Sequence, residues 1–147
     1  MKAISLYEPW ATLIALGKKR FETRSWNTMY RGPLLICASL KQPPLAKIIG
    51  VLYRAGITLD ELNPGRAVAL VDLITVLRTN DIVIQGKSID QNWPQENELY
   101  FGDFSPDRYV WKLKNIRRFV NPPLVKGRQG LFYVDDSYGS LETYDPI

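Results

Sequence analysis

The stretch ISLYEPWATLIALGKKRFETRSW, residues 4–26, contains an apolar run, a helical pattern and an alternating charged segment in that order. Residues 2–6 have the apolar character of a strand. Pro9 suits the first position of a helix, and the apolar side chains after it recur at helical spacing as far as Gly17, a residue type that commonly ends helices. The chain is therefore expected to begin with a strand, a short helix and a second extended segment.

The charged half of this stretch, GKKRFETRSW at residues 17–26, alternates as an extended chain does. One face is expected to hold Arg20, Glu22, Arg24 and Trp26, and the opposite face Phe21, Thr23 and Ser25. Glu22 and Arg24 stand two positions apart, so their side chains are neighbours and can pair. Burying such a pair costs on the order of several kcal/mol, which is why buried pairs often mark functional sites. An ordinary ion pair on an exposed hairpin is the alternative, and the pattern leaves both open.

Further elements are predicted along the rest of the chain. Apolar runs predict strands at 34–39, 67–77, 109–120 and 131–134, and helical spacing predicts a helix that starts at Pro43 or Pro44 and ends near Ala55. Residues 78–106 are polar and aromatic without a period, which predicts a long loop with a short helix near 92–99. These elements predict an α+β fold, a small β-barrel of about six strands with flanking helices. One domain is expected over residues 1–147, with its core at about 2–134 and a polar C-terminal tail at 135–147.

Composition narrows the classes of function. The 147 residues contain no histidine and one cysteine, Cys37, which excludes histidine-based triads and dyads and the usual zinc sites. No dense carboxylate cluster indicates a metal, so we expect no metal and no cofactor. The formal charge of +4 and the pI of about 9.2 are compatible with a polyanionic partner. No apolar run is long enough for a membrane span or a signal peptide, so a soluble, cytoplasmic protein without membrane contacts is expected.

Several residues could carry chemistry. Lys19 and Arg24 can meet phosphates, and Lys19 can act as a nucleophile or base if neighbouring cations lower its pKa. Asp72 is the single acid in an apolar strand, where it faces either a polar cavity or the edge of the strand. The aromatic candidates for base stacking are Trp10, Trp26, Tyr30, Tyr100, Phe101 and Trp111, with core packing favoured for Trp10 and Trp111. Lys126 and Arg128 lie in the glycine-containing segment LVKGRQG, which suits either a phosphate contact or an ordinary turn.

The chain resembles the ASCH domain family. That family's G-x-K-x-x-E-x-R signature is matched by Gly17, Lys19, Glu22 and Arg24, and RGPLLICAS, AVALVDLITV, YFGDFSPDRYVWKL and KGRQGLF follow in the family's order. The resemblance covers roughly residues 2–134. It implies a PUA-like β-barrel with a cleft near the first helix and an association with RNA. Some relatives resemble amidohydrolases that deacetylate N4-acetylcytidine with a Lys, a Thr and a Glu, and others look like ribonucleases. Lys19 corresponds to that lysine and Asp72 can correspond to the later carboxylate, but Glu22 stands where the threonine would be.

Three hypotheses about function follow. In the first, a basic cleft binds RNA or a nucleotide, with RNA favoured over DNA. Its nucleic-acid contacts would come from Lys19, Arg24, Arg31, Trp10, Trp26, Tyr100, Lys126 and Arg128, with Glu22 orienting Arg24. In the second, the protein is a metal-independent hydrolase of a modified nucleoside or a ribonuclease, in which Lys19, Glu22 and Asp72 are catalytic. In the third, residues 78–106 bind a protein partner. The oligomeric state stays open.

Overall fold

The computed structural model describes residues 1–147 and contains nine strands and four α-helices. The strands are β1 (Lys2–Leu6), β2 (Phe21–Arg24), β3 (Gly32–Ala38), β4 (Ala67–Arg78), β5 (Val83–Ile84), β6 (Lys87–Ser88), β7 (Tyr109–Phe119), β8 (Leu131–Tyr133) and β9 (Thr143–Tyr144). The helices are α1 (Trp10–Ala15), α2 (Leu45–Ala55), α3 (Thr79–Ile82) and α4 (Glu96–Tyr100). Short 3-10 turns lie at Leu59–Glu61 and Asp136–Ser140.

The main sheet runs in the order β2-β7-β4-β3-β1-β8, and β9 pairs with β7 outside this path. β1 and β3 are parallel, whereas the other neighbours are antiparallel. Register shifts interrupt the pairing of the long strands β4 and β7 at Leu70/Asp72 and at Leu73/Thr75, and such bulges bend a sheet. The sheet curls into a half-barrel, which confirms the predicted α+β architecture of about six main strands with flanking helices.

Helix α1 is held on two sides. Its Ile14 joins the main apolar cluster inside the sheet, which also contains Trp111 and Val71. Leu13 belongs to a second cluster that packs against Ile48 of α2. Because complete burial of a side chain such as leucine contributes roughly 1.5–3 kcal/mol, both faces of this short helix are anchored. The helix therefore gives a fixed support to residues at its two ends.

The chain leaves α1 through a glycine turn, as predicted. Gly17 has φ of +76°, a conformation that residues with a side chain adopt only at a cost. Its N–H donates to the carbonyl of Ile14 at 2.9 Å, and the N–H of Lys18 donates to the carbonyl of Leu13 at 3.0 Å. These two bonds form the Schellman arrangement that satisfies the last carbonyls of a helix. The turn sends the next residue, Lys19, toward the interior.

The prediction of a long loop at 78–106 is wrong. This segment contains α3, a two-stranded hairpin of β5 and β6, and α4, which lies close to the short helix predicted near 92–99. The hairpin pairs only Val83 with Ser88 and Ile84 with Lys87, around the turn formed by Gln85 and Gly86. Strands of two residues are too short to show a period of two, so the sequence pattern could not reveal them.

The remaining sequence expectations concern Cys37, the C-terminal segment and membranes. Cys37 is buried, and burial raises the pKa of its thiol to about 12, so the predicted inert thiol is confirmed. After residue 134 the chain packs back on the sheet, where Tyr144 pairs with Arg118. The domain limits given above stay predictions. No helix of the structure combines the length and the apolar character that a membrane span requires.

Candidate functional site

A cleft of about 1340 Å³ opens at the edge where the parallel strands β1 and β3 end. Chain segments from distant parts of the sequence line it. They comprise residues 5–7 at the end of β1, Trp10 of α1, 22–24 of β2, Trp26, 39–41 after β3, 64–65, 100–103 after α4, and the loop 124–130. Part of the stretch at residues 4–26 thus forms one side of the cleft, and later loops form the other.

Glu22 stands between two cations of the signature. Its Oε1 lies 3.5 Å from Nζ of Lys19, and its Oε2 lies 3.4 Å from Nε of Arg24. The N–H of Thr23 also donates to Oε1 at 3.0 Å. The side chain of Glu22 is 13% exposed, so the predicted pairing with Arg24 is present and largely shielded from water.

Lys19 lies behind the cleft rather than in it. Its side chain is 1% exposed, and it is absent from the residues that line the cleft. Its ammonium donates to the carbonyl oxygen of Phe21 at 2.5 Å and to that of Phe101 at 3.1 Å. Burial lowers the pKa of Lys19, and the carboxylates of Glu22 and Glu98 oppose this in part. With two carbonyls and Glu22 around it, the ammonium has an acceptor for each of its three donors.

Residues 20–23 also contact α4 and the chain that follows it, at one point each. The backbone N–H of Arg20 donates to Oε1 of Glu98 at 2.5 Å, and the N–H of Asp103 donates to Oγ1 of Thr23 at 3.2 Å. Burial raises the pKa of Glu98, and the hydrogen bond from Arg20 acts against that rise. Helix α4 and residues 100–103, which form one wall of the cleft, are therefore attached to the chain at Lys19, Arg20 and Thr23.

Arg24 presents a free donor to the cleft. Its Nη2 donates to the backbone carbonyl of Ser5 at 2.9 Å, and its Nε faces Glu22 without hydrogen-bond geometry. Its Nη1 donates to no group of the protein, and the side chain is 26% exposed. The guanidinium is thus held in place by two contacts and keeps one end for a ligand.

The rim of the cleft is basic and aromatic. Lys41, Lys126 and Arg128 are exposed there and make no hydrogen bond or ion pair within the protein. The aromatic residues of the cleft are Tyr7, Trp10, Trp26, Tyr100 and Phe101. Trp26 packs edge-on against Trp111 at 5.0 Å, and the Arg54 guanidinium lies 4.3 Å from the centre of the Tyr100 ring. Cations around aromatic faces can bind phosphates and stack bases together.

Besides Lys19, two residues of the first two hypotheses, Arg31 and Asp72, lie outside the cleft. Nη1 of Arg31 donates to the carbonyls of Thr28 and Tyr30, at 2.9 and 2.8 Å. Asp72 accepts from Asn115 at 3.0 Å and from Arg117 at 3.3 Å, and it lies within β4 between β3 and β7, so it neither lines the cleft nor stands at the edge of a strand. Of the three residues assigned to a hydrolase, Lys19 and Glu22 therefore lie together, whereas Asp72 lies apart from them. No group of three or more His, Cys, Asp or Glu side chains is placed to hold a metal ion.

The aromatic candidates Tyr30 and Trp111 do not line the cleft either, and Trp111 is buried in the core as favoured. The other residues named in the first two hypotheses line the cleft together. They are Trp10, Glu22, Arg24, Trp26, Tyr100, Lys126 and Arg128.

Sequence reasoning missed Glu8. Its buried carboxylate accepts from the N–H and the hydroxyl of Thr12 at 2.8 and 2.5 Å and from the N–H of Asn63 at 2.7 Å. This carboxylate connects the start of α1 with the turn at 64–65. The available signal was an acid directly before Pro9 with a threonine four positions later.

Gly127 brings the loop 124–130 close to the cleft floor. A Cβ atom at this position would lie 2.4 Å from Oγ of Ser5, and that hydroxyl is buried without a hydrogen-bond partner. We expect Gly127→Ala to lower the free energy of unfolding by about 1–3 kcal/mol, the usual range for overpacking, as measured by urea denaturation.

The control for this substitution also removes the Ser5 hydroxyl. The double variant Ser5→Ala/Gly127→Ala lacks the hydroxyl that the new methyl group would meet, so it is expected to recover most of the lost stability. A double variant as unstable as Gly127→Ala would show that Ser5 is not what the glycine accommodates.

Comparison with known proteins gives a consistent result. A model of the ASCH domain family matches residues 4–123. Activating signal cointegrator 1 of Homo sapiens and that of Mus musculus are each 30% identical to the chain over 139 residues. The match covers 90% of the chain, which spans 22% of the length of these curated relatives.

Solved structures resemble the fold at low sequence identity. Two mutants of ZmASCH from Zymomonas mobilis, a tyrosine-to-phenylalanine and a serine-to-alanine variant, give TM-scores of 0.57 and 0.55 at 15% and 14% identity. The alignments cover 97% and 95% of the chain, and 98% and 91% of the two structures. They agree with the predicted α+β fold of a curled sheet with flanking helices.

Proposed function

The chain belongs to the ASCH domain family, and from this membership we propose that it binds single-stranded RNA or a nucleotide in the cleft described above. The observation that carries the proposal is the composition of the cleft: a free arginine donor on its floor, aromatic side chains around it and unpaired cations on its rim. The association of this family with RNA supports RNA as the polyanion that the cleft binds.

Each part of the cleft suits one part of such a ligand. Lys41, Lys126 and Arg128 are free to contact phosphates, because no protein group occupies them. Trp10, Trp26 and Tyr100 offer ring faces on which bases can stack. An unpaired strand is the suitable form, because its bases can turn out of the backbone and enter a pocket.

Lys19 has a positioning role in this proposal. Its ammonium holds residues 100–103 and the carboxylate of Glu22 in place, and it does not reach the ligand. The hydrolase hypothesis gains no support from the geometry, because Lys19 is enclosed and Asp72 is bonded to Arg117 elsewhere. Of the segment 78–106, for which protein interaction is the third hypothesis, residues 100–103 supply one wall of the cleft.

The proposal is tested by a salt titration. A fluorescent single strand of about ten nucleotides, within the usual site size, is titrated with protein at several salt concentrations. The variant Lys126→Gln/Arg128→Gln is expected to bind more weakly. It should lower the slope of log affinity against log salt by about 1.4, which corresponds to two phosphate contacts on a single strand.

A matched variant distinguishes the effect of losing cleft contacts from the effect of lowering the net charge. Lys47→Gln/Lys114→Gln removes the same two charges from exposed positions outside the cleft. It is expected to leave both the affinity and the slope close to those of the unaltered protein. Equal losses in the two double variants would show non-specific attraction, and a flat salt response of the unaltered protein would overturn the proposal.

A further inference from the structure

The floor of the cleft differs in charge from its rim. The rim cations have no anionic partner, whereas Arg24 on the floor lies beside the carboxylate of Glu22, with Oε2 and Nε 3.4 Å apart. A phosphate placed at Arg24 would meet this carboxylate as well, and repulsion between like charges would cancel much of the attraction. The floor therefore suits a neutral group that offers a donor and an acceptor side by side.

Both floor residues keep one atom without a hydrogen-bond partner. Oε1 of Glu22 accepts from Thr23, but Oε2 accepts no hydrogen bond from the protein. Nη1 of Arg24 donates to no protein group, while Nη2 is held by the carbonyl of Ser5. Both residues line the cleft, so an acceptor and a donor stand next to each other at its base.

We propose that Glu22 and Arg24 bind the Watson–Crick edge of one unpaired nucleobase. Oε2 of Glu22 accepts a ring or amino N–H of the base, and Nη1 of Arg24 donates to the neighbouring carbonyl or ring nitrogen. Every unmodified base presents such a pair on this edge, and only in an unpaired strand is the edge free. This inference rests on the proposed function and assigns separate roles to two parts of the cleft. The rim binds phosphates, and the floor recognises a base.

The surroundings support this reading. The two side chains are fixed before a ligand arrives, Glu22 by the N–H of Thr23 and the Lys19 ammonium, Arg24 by the carbonyl of Ser5. A site of this kind loses little freedom on binding, which favours selective hydrogen bonds. Trp10 and Trp26 line the same cleft and offer faces for the ring of the bound base.

Methylated bases test the proposal on the unaltered protein. Oligouridylate is compared with its N3-methyluridine form, and oligoguanylate with its N1-methylguanosine form, in anisotropy titrations at one salt concentration. Each methyl group replaces the ring N–H and leaves the base neutral and able to stack. Methylation is expected to weaken the tighter-binding of the two strands roughly tenfold, as the loss of a hydrogen bond to a charged group would. Equal binding of methylated and unmethylated strands would overturn the proposal.

Variants test whether the loss of affinity on methylation depends on Glu22. In Glu22→Gln the penalty for methylation is expected to fall to about twofold or less, because the carboxylate that accepts the N–H is gone. Asp103→Asn removes another carboxylate of the same cleft and should keep the full penalty. A second control, Glu96→Gln, removes an exposed carboxylate that does not line the cleft and should also keep the full penalty. A full penalty in Glu22→Gln would overturn the assignment, and thermal unfolding shows whether each variant is folded. Failure of the unaltered protein to bind any strand would instead contradict the proposed function.

Discussion

Lys19→Met is expected to lower the free energy of unfolding by about 3–5 kcal/mol, the range for removing one partner of a buried ion pair. Methionine fills a similar volume but donates no hydrogen bond. The carbonyls of Phe21 and Phe101 and the carboxylate of Glu22 would lose their donor in a site that is 1% exposed. Urea denaturation followed by circular dichroism measures the loss. Binding in the cleft should weaken too, because residues 100–103 lose an attachment.

The neighbouring lysine supplies the control. Lys18 is exposed and makes no hydrogen bond or ion pair through its side chain, so Lys18→Met should change stability by about 0.5 kcal/mol or less. If Lys19→Met were as stable as Lys18→Met, the ammonium would not be a structural group, and a role in contact with the ligand would regain weight.

A pH series gives a second readout of the same substitution. Because burial lowers the pKa of Lys19, the folded chain loses this proton at a lower pH than the unfolded chain, in which lysine titrates near 10.5. Between these two pKa values the unfolded chain binds more protons, so the stability of the unaltered protein rises with pH. Methionine does not titrate. The stability difference between the two proteins should therefore widen as the pH rises through that window, and a narrowing difference would contradict the lowered pKa.

Glu8→Ala is the second substitution with a large expected effect, a loss of about 2–4 kcal/mol. The carboxylate is 0% exposed and accepts from Thr12 twice and from Asn63 once. Alanine would leave these buried donors unsatisfied, at about 1–3 kcal/mol for each group that water cannot reach. Urea denaturation measures the loss, and weaker binding is expected because Trp10 and Pro64, on either side of this link, both line the cleft.

Two comparisons sharpen this prediction. Glu8→Gln keeps one acceptor oxygen and should lose less stability than Glu8→Ala. Glu142→Ala removes an exposed carboxylate that makes no hydrogen bond through its side chain, and it should be close to neutral. A Glu8→Ala variant no less stable than Glu142→Ala would show that the carboxylate does not join α1 to the turn.

The fold was accessible from the sequence because its main elements carry clear local patterns. The apolar runs of β1, β3, β4 and β7 and the glycine after α1 mark their elements within a few residues. The alternation of β2 also placed Glu22 and Arg24 on one face, where they pair. These features depend on residues that are close together in the sequence, so the sequence alone is enough to predict them.

The candidate site was only partly accessible, because its remaining geometry depends on distant contacts. Lys19 belongs to the signature and was expected to meet the ligand, but its acceptor at Phe101 lies 82 positions away. Asp72 was correctly placed in β4, yet alternation shows only which residues share a face and not which face meets the cleft. The partner of Asp72, Arg117, is brought to it by the pairing of β4 with β7.

The buried ammonium also couples the stability of one cleft wall to that of the entire chain. Residues 100–103 cannot swing away from β2 without withdrawing a carbonyl from Lys19 and leaving a positive charge in an apolar interior. Such an opening would deprive a buried charge of one of its acceptors, so this wall is expected to open together with the sheet rather than by itself. The hairpin of β5 and β6 has no buried charge of this kind, and its Val83 packs on the small cluster of Phe21, Ile82 and Val110. Within residues 78–106, we therefore expect the strongest protection from amide hydrogen exchange where a ligand would rest.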